Sequence, residues 1–149
     1  MAQRVRIARC AVAVVLLAVV AAAGGPQPVD NPYQGEFPFT LGEPLDPGVS
    51  IDGVVWNELK VTPLGKLRSG KAVKTLVEMG FDNGRADGVR ILVVVLFEDE
   101  TGQALDRVEL DPVSVGAGRA KRFRQKLKIQ SDVLSASAKV YLFCEVQER

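Results

Sequence analysis

Histidine is absent from all 149 residues. That removes the usual general base near neutral pH and the commonest transition-metal ligand. Ser-His-Asp and Cys-His nucleophilic sites are excluded with it, as are histidine-based zinc sites. Cysteine occurs twice, as Cys10 and Cys144, and the first lies inside the N-terminal segment read below as a cleaved signal. The remaining chain then holds one thiol and no intramolecular disulfide, so its stability rests on the core. Neither charge dominates, with 19 basic against 18 acidic residues. Such a balance gives no global attraction to nucleic acid. Aromatic residues make up only 6% of the chain.

Long apolar runs are equally scarce, and the longest is at the start. Arg4, Arg6 and Arg9 precede an unbroken apolar stretch from Ala11 to Ala23. Ala21-Ala22-Ala23 supplies the small-residue pattern of a signal-peptidase site, just ahead of Gly24-Gly25-Pro26. The run has 13 residues, whereas crossing a bilayer takes roughly 20 in a helix. Residues 1–23 therefore read as an export signal, with an N-terminal membrane anchor as the alternative. Cys10 lies before the apolar run, which is the wrong place for a lipoprotein signal. The expected location is extracytoplasmic, periplasmic or secreted. Without the signal, 16 basic residues face 18 acidic ones, for a net charge of −2.

Residues 24–48 contain six of the eight prolines and five glycines, a composition expected of a linker or extended arm. Tyr33, Phe37 and Phe39 are expected to lie against the domain surface or to dock a partner. Residues 49–149 are expected to form the folded domain. Val54–Val61 reads as the first strand and residues 63–71 as a loop. Val73, Thr75, Val77, Met79 and Phe81 alternate with a period of two. Asp82-Asn83-Gly84 and Asp87-Gly88 are turn sequences. Ile91–Phe97 is apolar on both faces and suits a central strand. A polar hairpin tip over residues 98–103 leads into a returning strand from Ala104 to Leu110. Further strands are expected over Arg119–Ile129 and over residues 140–146, where Val140, Leu142, Cys144 and Val146 share one face. No stretch after the signal has convincing helical periodicity. The fold class this implies is all-β, an antiparallel immunoglobulin-like sandwich of about six or seven strands.

Met79-Gly80-Phe81-Asp82-Asn83-Gly84 and the segment from Val89 to Leu105 resemble the FxLYD-type domain of bacterial envelope proteins. Val95-Leu96-Phe97-Glu98-Asp99 occupies the motif, and Thr101-Gly102 its hairpin turn. Gly116-Ala117-Gly118 and Phe123 match a later turn and strand, so the likeness spans residues 73–129 or so. Val95 stands where the family has Phe, and Glu98 where it has Tyr. The resemblance implies a small sandwich used as an adhesive or structural module at the cell envelope, with no catalytic residues to carry over; no cofactor is expected.

Two motifs and two single residues are expected to be structural. Gly65-Lys66-Leu67-Arg68-Ser69-Gly70-Lys71 has the spacing of a phosphate-binding loop, but Ala72 replaces its Ser or Thr and strand periodicity follows. A calcium loop begun at Asp99 would place Leu110 where the bidentate Glu belongs. Cys144 and Trp56 read as core and core-edge packing. The best candidate for function is the basic strand 119–128. Period two puts Arg122, Arg124, Lys126 and Lys128 on one face, with Arg119 and Lys121 adding charge near its start. These charges are expected either to pair with Asp106, Glu109 or Asp111 and protect a sheet edge, or to bind an anionic partner. The expected function is a non-catalytic module for protein–protein binding or scaffolding at the envelope, with binding of an anionic envelope polymer as the alternative. Nucleic acid is not expected, because Phe123 points to the other face.

Overall fold

The computed structural model describes residues 24–149, so the signal sequence assigned to residues 1–23 lies outside it. Two sheets face each other across one core. The first has the order β1 (Gln27–Val29), β3 (Val49–Ile51), β4 (Val54–Pro63), β5 (Ala72–Asn83), β9 (Ala120–Gln130). The second has the order β2 (Tyr33–Pro38), β10 (Lys139–Glu148), β6 (Val89–Glu98), β7 (Ala104–Glu109). β8 (Val113–Val115) pairs with the far end of β6, beyond β7. One short helix, α1 (Ser131–Ala136), links β9 to β10. The chain is an all-β sandwich.

Alternation builds the core, because successive strand residues point to opposite faces. Val73, Val77, Met79 and Phe81 on β5 are buried, as are Val89, Ile91, Val93, Val95 and Phe97 on β6. Val140, Leu142, Cys144 and Val146 on β10 complete the inner face of the second sheet. Trp56 lies deeper than the core edge expected for it. It is fully buried, stacks on Phe81 at 5.6 Å, and donates its indole N–H to the Glu58 carbonyl at 2.9 Å. Cys144 is buried and unpaired, and burial pushes its thiol up to about 12.

The described residues form ten strands, more than the six or seven expected. The four additions, β1, β2, β3 and β8, are short or proline-bearing pieces that periodicity could not reveal. Two of these lie within residues 24–48, expected to be a linker or extended arm, and place parts of that segment in the sheets. β1 pairs in parallel with β3, and β2 pairs antiparallel with β10. Phe39 is a core residue, edge-on to Phe97 at 5.7 Å, and Tyr33 and Phe37 pack against the core. Asn31 extends the β2 ladder with its side chain, donating to the Val146 carbonyl at 2.7 Å and accepting from the Val146 N–H at 3.0 Å. The prolines are tolerated because both strands lie at sheet edges.

Candidate functional site

Strand β9 is the free edge of the first sheet, antiparallel to β5 along its whole length. Arg122, Arg124, Lys126 and Lys128 share its exposed face, while Phe123, Leu127 and Ile129 turn toward the core. Lys121 belongs to the other parity. It reaches across to the second sheet and donates to the Ser114 carbonyl at 2.8 Å, so it is a tie between sheets rather than part of the stripe. Arg119 lies in the turn before β9, where its carbonyl accepts the Asn83 N–H at 2.9 Å.

Registry divides the stripe in two. Arg122 bonds Glu58 at 2.7 Å, and Arg124 bonds Glu78 at 2.9 Å. These partners lie on β4 and β5. Asp106, Glu109 and Asp111 belong to the other sheet or its loop, which corrects the expected pairing. Glu58 reaches Arg122 because β4 carries a bulge between Trp56 and Glu58. The extra residue, Asn57, lets Trp56 and Leu59 both face the core while Glu58 turns outward.

Lys126 and Lys128 form no ion pair among the described residues. Lys128 lies directly opposite Lys74 on β5, and Lys126 opposite Leu76. Like charges placed opposite each other across a ladder repel. Leu64, 47% exposed, and Leu76 line a shallow depression with Arg124 and Lys126. The loop between β4 and β5, with Lys66, Arg68 and Lys71, leaves from this same end of the sheet, since β5 starts opposite Gln130. One end of the sheet therefore collects unneutralised cations around two leucines, and the other end is salt-bridged.

The β4–β5 loop has the spacing of a phosphate loop but leads into a strand rather than a helix. Asp132 accepts the Gly70 N–H at 2.7 Å, so a carboxylate already occupies the donor a phosphate would need. That bond also holds the Asp132 carboxyl below its ordinary range, with Ser69 assisting. At the β6–β7 turn, Asp99 accepts from the Thr101 N–H at 2.8 Å, the Thr101 hydroxyl at 2.6 Å and the Gln103 N–H at 3.0 Å. Its carboxylate closes the turn and is held below its usual range by those donors, the Thr101 hydroxyl foremost. Among the described residues no group of three or more acidic or sulfur side chains converges as a metal site would require.

Three residues had too little signal in sequence to stand out. Asn83, expected only in a turn, is buried, and its side chain ties β5 to the β8 segment. It donates to the carbonyls of Asp87 at 2.9 Å, Val115 at 3.3 Å and Gly116 at 3.1 Å, and accepts from the Arg85 N–H at 3.0 Å. Arg85 joins Asp52, Asp87 and Glu148, from three separate parts of the chain. Glu98, expected at a solvated tip, is only 8% exposed and sits beside Glu36 and Lys139. Burial, then the nearby Glu36 charge, raises its carboxyl above the ordinary range.

The class defined is an all-β sandwich with a charged, half-neutralised edge face. Compared with protein-family models and with curated proteins, the chain matches none.

Proposed function

We propose that the chain is an exported, non-catalytic binding module of immunoglobulin-like architecture, working at the cell envelope. Its ligand is an acidic protein segment that also carries apolar side chains. The observation that carries this reading is the lysine end of the first sheet, where Lys74 and Lys128 oppose each other beside the exposed Leu64. An anion between those lysines would relieve their repulsion, and an apolar side chain would cover Leu64 and Leu76. A polymer bearing charge alone would leave the leucines exposed, which favours a protein partner. The resemblance to FxLYD-type envelope domains and the N-terminal signal pattern support the same reading. Arg122 and Arg124 already have carboxylate partners and act as the frame of the site.

The test is co-sedimentation with cell-envelope material across a salt series. Changing Lys74, Lys126 and Lys128 together to Ser is expected to abolish binding, and Arg122→Ser with Arg124→Ser to weaken it far less. Leu64→Ser is expected to weaken binding as well. Loss with the lysine variant but full retention in Leu64→Ser, together with competition by polyphosphate, would move the assignment to an anionic polymer. Binding unchanged in the lysine variant would remove the site.

A further inference from the structure

The outer face of the second sheet has an order that is complementary to itself. Four strands lie side by side as β2–β10–β6–β7, and their registers define rows across the face. One row reads Glu36, Tyr141, Leu96, Arg107, and the next reads Gln34, Phe143, Val94, Glu109. The row before them contains Lys139 beside Glu98. The centre is thus apolar, with a depression of about 280 Å³ lined by Val94, Leu96, Arg107, Tyr141 and Phe143. Acidic Glu36 stands on one flank, and on the other Arg107, which bonds Glu109 of the next row.

We infer that this face is a homodimer interface, with two copies packed face to face about a two-fold axis parallel to the strands, between β10 and β6. That operation lays β10 of one copy on β6 of the other, and β2 on β7, while each row faces itself. Tyr141 then meets Leu96 of the second copy, and Phe143 meets its Val94. Glu36 faces Arg107 of the second copy, and Lys139 faces its Glu98, each contact occurring twice, as an isologous interface demands. Aligned packing of two sheets at about 10 Å is the geometry sandwiches already use internally.

Glu98 is a second, independent observation. Its Oε2 is buried with no hydrogen-bond partner among the described residues. Within one copy Glu98 has Lys139 in register on the neighbouring strand, but Glu36 binds the Lys139 ammonium at 3.2 Å. The facing copy would bring a second lysine beside the Glu98 carboxyl, and Arg107, which bonds Glu109 within its own copy, would lie opposite Glu36. The flat part of the face spans about 19 Å across four strands and roughly 20 Å along them. That is about 380 Å² per copy, below the range of stable specific interfaces, so a weak, rapidly reversible dimer is expected.

Sedimentation equilibrium of the purified chain over a concentration series tests this. The wild type is expected to show a monomer–dimer equilibrium, and Phe143→Glu to shift it to monomer. Glu36→Arg and Arg107→Glu are each expected to weaken the dimer at least tenfold, by setting like charges face to face. The double variant carrying both changes is expected to recover most of the affinity, because the pairs re-form with signs exchanged. Arg107 is an exposed edge residue, so its variant keeps the fold even if Phe143→Glu does not, which a thermal melt would show. A monomer at every concentration up to about 1 mM would overturn the proposal. A dimer indifferent to Arg107→Glu, or no recovery in the double variant, would overturn this interface.

Discussion

Glu98 shows how one side chain can work against the fold that contains it. Its carboxyl is pushed above the ordinary range by burial first and by Glu36 second, with Asp99 adding to the effect and Lys139 opposing it. A raised folded value means the native state binds the proton more tightly than the unfolded chain. The group therefore costs stability above its folded value, and that cost disappears as pH falls through the folded value toward the ordinary carboxylate range. Glu98→Gln is expected to stabilise the chain at neutral pH in urea denaturation, with the gain shrinking to nothing in acid. A gain that stayed constant with pH would show the carboxylate to be unperturbed. Asp87, Asp99 and Asp132 have lowered values and contribute in the opposite sense, losing their stabilisation as pH falls below the carboxylate range. Gly80 is constrained by close approach. A Cβ there would meet the Asn57 side-chain oxygen at 2.3 Å and the Glu58 Cβ at 3.3 Å. Gly80→Ala is expected to cost about 1 kcal/mol by displacing Asn57 from its bond to Asp82. Measured in an Asn57→Gly background, the same change is expected to cost clearly less. Equal costs in both backgrounds would mean that Asn57 is not the obstacle.

At the scale of elements, β9 carries two duties that compete. It is an 11-residue edge strand, and an edge that long presents unpaired backbone groups to any passing strand. Alternate Arg and Lys residues on its exposed face discourage such pairing, and the same charges form the proposed binding end. Lys126→Thr with Lys128→Thr is therefore expected to leave the melting temperature nearly unchanged but to speed aggregation seen by light scattering. Unchanged aggregation would show that the edge needs no protection from charge. The β3–β4 hairpin shows a turn written in sequence, since Asp52 at φ 46° and Gly53 at φ 79° supply the left-handed pair that a two-residue connection requires. The bulge in β4 was less legible. A three-residue gap between Trp56 and Leu59 is the only sign of it, and that spacing alone also fits a helix turn.

At the scale of the whole molecule, the proline-rich segment is structural. β1 caps an edge of the first sheet, β2 caps an edge of the second, and Phe39 enters the core between them. Deleting residues 24–38 is expected to lower the denaturation midpoint sharply and to blur the transition, because two edges lose their cover. Removal without effect on the midpoint would return the segment to the status of an arm. No helix among the described residues is long and apolar enough to cross a membrane. The central strands sit where alternation places them: β5 from Val73 to Phe81, β6 through its apolar run, and β10 with Cys144 facing inward. The edge strands β1 and β2 went unrecognised because such short strands carry little apolar periodicity and contain prolines that argue against a strand anywhere else.

Local chemistry by itself determined the all-β class, the long strands, the parity of the basic stripe and the burial of Cys144, because each depends on residues two positions apart. Tertiary structure alone decided which charges were neutralised. Whether Arg122 meets a carboxylate and Lys128 meets a lysine depends on the register between β5 and β9 and on one extra residue in β4. The burial of Glu98 and the complementary rows of the second sheet were likewise decided by strand order, which brings together residues as far apart as Glu36, Glu98 and Lys139. A period of two says which way a side chain points, and only the assembled sheet says what it points beside.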